Sequence, residues 1–196
     1  MESRHCRQHL RTNKVIKDSI KNILKEIGED PNREGLKRTP YRVAKAYEEL
    51  FGGYKFEPKH VLNRQFAESC GIIVEGPITF ASTCEHHLLP FFGHAFLCYI
   101  PKKYVTGLDK LIKLVQIYAR RLQVQERMTR QIADGLYNNL DCLGVLVLID
   151  AKHLCVSSRE TKDDTSYTQT SEVRGVFSSN PSAKQEALDM INSKRK

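Results

Sequence analysis

Apolar residues recur along this chain in two rhythms, helical in some stretches and strand-like in others. In residues 14–27, Ile16, Ile20, Ile23, Leu24 and Ile27 recur at helical spacing and Gly28 stands where a helix would stop, which predicts an amphipathic helix. A breaker-rich turn, residues 29–35, separates it from a second stripe of Val43, Ala44, Tyr47, Leu50 and Phe51 that ends at Gly52-Gly53. Thr39 is the expected N-cap of this second helix, with Pro40 at its first position. Helices joined by so short a connection are expected to pack antiparallel. Residues 54–69 have little periodicity. Two short β-prone runs follow, Ile72-Ile73-Val74-Glu75 and Ile78-Thr79-Phe80-Ala81, split by Gly76-Pro77, and then a strand over residues 94–100 that Pro101 ends. Residues 108–122 predict a helix apolar around much of its girth, with Asp109 as cap, and a second helix runs from about Met128 to Leu140. The continuous apolar run 144–149 reads as a central strand, and residues 153–158 as the start of its partner. A polar loop over 161–171, a short strand over 173–177 and a helix over 182–191 complete the chain.

Helices and strands come in groups rather than in strict alternation, which predicts an α+β fold: an antiparallel sheet with helices on one face, behind an N-terminal antiparallel helix pair. The expected divisions are a basic tail (1–13), the helix pair (14–53) and one functional region (54–196). Unpaired sheet edges favour a homo-oligomer.

Composition narrows the partners. A chain of 196 residues suits a single core of ordinary size. No run is long and apolar enough for a membrane span, and Met1-Glu2-Ser3-Arg4-His5 lacks a signal segment, so a reducing cytoplasmic setting with free thiols is expected and a membrane partner is not. The net charge of +8 points to anionic partners. Nucleic acid is the generic reading of such a charge, but basic residues are interspersed with acids and no nucleic-acid motif is present, so a phosphorylated small molecule fits as well and no nucleic-acid partner is expected.

The stretch Ser82-Thr83-Cys84-Glu85-His86-His87 is chemistry that no packing requirement explains. Cys84 and His87, two residues apart, can reach one tetrahedral ion from a single turn. Downstream, strand alternation would place His153 and Cys155 on one face. Cys84, His87 and Cys155 then form a three-ligand zinc site with a fourth position for water, the catalytic arrangement. Cys70, Cys98 and Cys142 read as core filling. Cys6, between His5 and His9, lies in the basic tail and is set aside. Arg42 and Lys45 share a helix face, which alone means solvated surface, and Glu126 alone is an ordinary exposed helix carboxylate.

The motif around Cys84, the run Arg121-Leu122-Gln123-Val124-Gln125-Glu126-Arg127 and His153-x-Cys155 closely resemble GTP cyclohydrolase I. Asp30-Pro31-x-Arg33-Glu34-Gly35-Leu36, Thr39-Pro40-x-Arg42-Val43-Ala44-Lys45 and Gly175-Val176-Phe177 support the resemblance, which covers the chain from about Asp30 onward. It implies a tunnelling fold, whose sheets join around rings that stack into a decamer with sites at subunit boundaries. It also implies a zinc-activated water that attacks C8 of GTP, formate release, and closure to dihydroneopterin triphosphate, an entry to folate or tetrahydrobiopterin. By this resemblance Cys84, His87 and Cys155 hold zinc, and His86 and His153 move protons. Glu126, with Gln125 beside it, reads guanine N1 and the 2-amino group. Arg42, Lys45, Lys110 and Arg159 clamp the triphosphate, with Arg42 and Lys45 reaching in from a neighbouring subunit.

The phosphate segment departs from that family's usual pattern. Gly107-Leu108-Asp109-Lys110-Leu111-Ile112-Lys113 carries Asp109 where the family has Ser and Lys113 where it has Arg, and Glu160 stands in place of Gly. An ionised Asp cannot donate to a phosphate oxygen, and two like charges about 4 Å apart cost roughly 1 kcal/mol in water and about 4 at an effective dielectric near 20. The expectation is GTP with a weaker clamp or a repositioned phosphate tail, Lys113 and Lys162 offsetting the acids. The alternatives are a guanine nucleotide with fewer phosphates or another tail, or a catalytically silent zinc-stabilised subunit.

Overall fold

A computed structural model describes residues 4–63, 65–68, 70–159 and 162–195, with side chains from residue 13 onward. The side chains of His5, Cys6 and His9, and Glu160, therefore lie outside the described residues. The chain divides into two compact units, Met1–Phe51 and Gly52–Lys196.

In the N-terminal unit helix α1 (Arg4–Glu26) packs on α2 (Thr39–Leu50). Helix α1 starts ten residues before the expected position, within the stretch read as a tail. Leu24 of its predicted stripe is buried and Ile16 and Ile20 are half-buried, but Ile23 and Ile27 are 53% and 67% exposed. Thr39 is not the cap of α2: Arg38 holds that position without a side-chain hydrogen bond, and Pro40 occupies the first turn, where its missing N–H costs nothing.

The C-terminal unit begins with a 3-10 turn (Gly52–Lys55), α3 (Pro58–Val61) and β1 (Gln65–Ala67), in a region expected to be irregular. Strand β1 pairs with β4 (Tyr104–Thr106) in a small two-stranded sheet. The main sheet has the order β5-β2-β3-β6-β7. Its strands are β2 (Ile73–Cys84), β3 (Pro90–Pro101), β5 (Leu122–Gln123), β6 (Cys142–His153) and β7 (Thr168–Gly175). The four long strands are antiparallel, and the two-residue β5 joins β2 in parallel.

The two β-prone runs around Gly76-Pro77 are one strand, not two. The register of β2 against β3 shifts between Glu75 and Ile78, so the two breakers form a bulge inside β2. Its consequence is a change of parity: Ile73 packs on the core, and beyond the bulge Ile78, Phe80 and Cys84 do so.

That core lies between the sheet and two helices, α4 (Leu108–Ala119) and α5 (Gln125–Asn139), on one face. Alternate residues Ala95, Leu97 and Tyr99 of β3 and Val145, Val147 and Ile149 of β6 meet Leu111, Leu114, Met128, Ile132 and Leu136. The opposite parity, Phe96, Cys98, Leu146 and Leu148, is covered by Phe177 of α7 (Val176–Ser179) and Ala187 and Ile191 of α8 (Pro181–Ser193). Cys98 and Cys142 are buried as expected, but Cys70 is exposed. Asp109 does not cap α4, because Gly107 is the N-cap and Asp109 turns to Lys110 and Lys113.

Candidate active site

Strand β2 ends at Cys84, and a turn closed by Leu88 N–H to the Cys84 carbonyl (2.9 Å) and Cys84 N–H to the Leu89 carbonyl (2.8 Å) carries Glu85, His86 and His87. The Sγ of Cys84 lies 3.7 Å from His87 Nδ1 and 4.0 Å from His86 Nδ1. Strand β6 ends at His153 rather than running on to Ser158, and the chain turns at once into α6 (Leu154–Ser157). Strand alternation therefore does not bring Cys155 to the site. The helical turn does, and the ligating atoms of Cys84, His87 and Cys155 all lie within 4.8 Å of one another.

Two thiols and one imidazole are the donor chemistry of zinc. Burial and the adjacent Cys84 push the Cys155 thiol above its ordinary range, with Arg159 opposing. Two thiolates this close repel, and a divalent cation between them makes the pair favourable, so the residues fit such an ion.

His153 is held on two sides. Phe91, its register partner on β3, stacks on the imidazole with centroids 4.7 Å apart and planes 3° from parallel. Gln125 Oε1 lies 2.8 Å from His153 Nε2. The surrounding hydrogen bonds assign the proton. Gln125 Nε2 faces the carbonyls of Ile149 (3.1 Å) and Thr168 (2.9 Å), both pure acceptors, so it is the nitrogen end of the amide. The Thr129 hydroxyl donates to the Gln125 carbonyl (2.8 Å) and therefore accepts from Thr170 (2.6 Å), which in turn accepts from Gln125 Nε2 (3.1 Å). Gln125 Oε1 is an acceptor, His153 Nε2–H donates to it, and Nδ1 keeps the lone pair in the neutral ring. Burial lowers the His153 pKa, and nearby Glu126 opposes that shift. Gln125, expected to bind substrate, is itself buried and has both ends of its amide engaged within the protein.

Glu126 is exposed in the first turn of α5. Arg127, next to it, closes a second network: its guanidinium grips both carboxylate oxygens of Glu85 and also reaches Gln123 Oε1 and the Leu122 carbonyl, each at 3.2 Å. That grip holds the Glu85 carboxyl below the usual carboxylate range.

The expected phosphate residues are dispersed over the chain. Arg42 and Lys45 are exposed on α2 in the N-terminal unit. Lys110 and Lys113 both pair with Asp109 Oδ2, at 3.3 and 3.1 Å, and those bonds hold the Asp109 carboxyl below its usual range. Arg159 is exposed just beyond α6.

The family model described as GTP cyclohydrolase I matches residues 16–192. The chain belongs to the GTP cyclohydrolase I family. Relatives named GTP cyclohydrolase 1 agree across almost the whole length. The one from Campylobacter jejuni subsp. jejuni serotype O:6 is 49% identical over 92% of this chain and 96% of its own. Those from Desulforamulus reducens and Leptospira biflexa are each 47% identical over 90% of this chain, covering 95% and 97% of theirs. Among solved structures, the apo form of the archaeosine synthase QueF-Like matches 55% of this chain at 14% identity and a TM-score of 0.44, too slight a likeness to establish a shared fold.

Two features of this family member escaped the sequence reading. The Arg127–Glu85 pair joins motifs 42 residues apart, and its only signal was an acid inside one polar motif and a base inside another. The helical turn that delivers Cys155 is four residues long, too short to show a period.

Proposed function

We propose that this protein is a zinc-dependent GTP cyclohydrolase I, converting GTP and water into formate and 7,8-dihydroneopterin triphosphate. The observation that carries the reading is the convergence of Cys84, His87 and Cys155 beside His153 in a chain of this family. Bound by those three residues, zinc supplies a Lewis acid that brings a water toward ionisation at neutral pH. Glu126 accepts hydrogen bonds from guanine N1–H and the 2-amino group, two adjacent donors for two carboxylate oxygens, and adenine presents a different edge. His153 presents Nδ1 as the acceptor in its neutral form, with Gln125 fixing the ring from behind. His86, exposed beside the same turn, handles the second proton. Arg42, Lys45, Lys110, Lys113 and Arg159 neutralise the phosphates, Arg42 and Lys45 coming from a neighbouring subunit of a homodecamer. The setting is cytoplasmic, and the product feeds tetrahydrofolate or related pterin synthesis.

The test is direct: zinc-loaded protein with GTP releases formate and, after oxidation, a fluorescent pterin. Zinc uptake without formate from any guanine nucleotide would leave a silent subunit instead.

Asp109 supports a second reading. With its carboxylate on both Lys110 and Lys113, the clamp is partly neutralised before any substrate arrives, which suits a guanine nucleotide with a shorter phosphate tail. Turnover of GTP, GDP, GMP and guanosine by the native protein and by Asp109→Ser separates the two. A strong preference for GTP that the substitution leaves unchanged removes the second reading.

A further inference from the structure

The proposed metal site is assembled from two halves of chain that meet within the site through the Cys84 and Cys155 thiols. Cys84 and His87 come from the end of β2, and Cys155 from the turn after β6. One short segment, Leu122 to Arg127, is tied to both.

On the first side, β5 pairs with β2 through Thr83 opposite Leu122 and Cys84 opposite Gln123, and Glu85 N–H donates to the Gln123 carbonyl at 3.0 Å. Arg127 completes this side, using four N–H···O contacts to hold Glu85, Gln123 and Leu122. Gln123 is itself fixed by Nε2 bonds to the Tyr118 carbonyl (3.1 Å) and Gln131 Oε1 (2.9 Å). On the second side Gln125 binds His153 directly and reaches the carbonyls of Ile149 on β6 and Thr168 on β7. His153 stands two residues before Cys155. Both networks leave from the start of α5, a helix whose next turns are anchored by fully buried Met128, Ile132 and Leu136. The segment can move neither half without breaking bonds to the other.

We propose that Arg127 and Gln125 are positioning residues for the metal site, together setting the separation between Cys84/His87 and Cys155. This inference rests on the metal reading above. Neither side chain belongs to the ligand set; Arg127 holds Glu85, the residue after Cys84, and Gln125 holds His153, two residues before Cys155. A partner hydrogen-bonded to a ligand itself typically governs metal affinity by roughly 10–100-fold, and a group that holds a residue beside the ligand is expected to act at the lower end of that range. Arg suits the first task because its planar fork meets both carboxylate oxygens at once, which a Lys point charge cannot do.

The experiment measures zinc affinity of the full-length, metal-stripped protein by competition with a chromophoric chelator, without any nucleotide. Gln125→Met keeps the length of the side chain and removes its polar end, and Arg127→Met keeps the apolar stem and removes the guanidinium. Each is expected to weaken zinc binding by roughly 10-fold, and Arg127→Lys to recover part of that loss. Lys102→Met, which removes a cation paired with Asp141 at 3.1 Å, serves as control and leaves the affinity unchanged. Thermal unfolding of the metal-free forms is measured alongside. Native protein that binds zinc tightly, with variants that bind as tightly or lose only metal-free stability, overturns the positioning role while the metal reading stands. Native protein that takes up no zinc overturns both. Where Arg127→Met does not fold, Arg127→Lys carries the same comparison.

Discussion

Individual side chains in this protein are committed by their surroundings to different chemistry. Burial pushes the Cys98 thiol up to about 12 and the Cys142 thiol up to about 11, so at pH 8 each is almost wholly protonated, while Cys70 is exposed. Brief alkylation of the native protein at pH 8, read by mass spectrometry, is expected to mark Cys70 and spare Cys98 and Cys142. Adding zinc is expected to protect Cys84 and Cys155 as well. Labelling of those two that is indifferent to zinc would contradict the ligand assignment. Glu126 carries the substrate side of the account. Hydrogen bonds to a charged group are worth about 1.5–3 kcal/mol, so Glu126→Gln is expected to lower kcat/KM for GTP at least about 10-fold. An unchanged value would remove Glu126 from guanine recognition.

At the scale of elements, what the sequence showed and what it hid divide along physical lines. Helices α4 and α5 and strand β6 were legible because they lie in the core, where long apolar runs at a clear period leave no competing reading. Strand β2 was hidden because Gly76-Pro77, normally a strand terminator, is accommodated here as a bulge. Thr39 and Asp109 were natural caps by residue type, but each lies inside the first turn, so capping propensity was right about the helices and wrong about their first residue. The cluster of Cys84, His87 and Cys155 was legible from Cys84-x-x-His87 and His153-x-Cys155, though the geometry that joins them is a helical turn and not an extended strand. Two stability predictions belong here. Leu136→Ala, in α5 and fully buried, is expected to cost about 2–5 kcal/mol by denaturant midpoint. Gly175 ends β7 at φ +61, and an added Cβ would meet the Leu143 carbonyl oxygen at 2.1 Å, so Gly175→Ala is expected to destabilise by about 1–3 kcal/mol. Gly71→Ala, with nothing within 4 Å of the added atom, should be nearly silent. Equal effects at the two glycines would contradict the role of Gly175 in joining β7 to α7.

For the whole molecule, the main consequence is a division of labour between the sheet and the segment that crosses its end. The sheet provides two strand ends, at Cys84 and His153, that face the same core. The start of α5 then sets how far apart they stand and presents Glu126 beside them. Strand β7 is the last of the main sheet among the described residues. The most direct measurement is a zinc titration of metal-stripped protein with GTP present, following formate. The account predicts release that rises with added zinc to a plateau at one ion per chain, and none at any zinc level from Cys155→Ala. Full turnover by the stripped protein, or by Cys155→Ala, would contradict it.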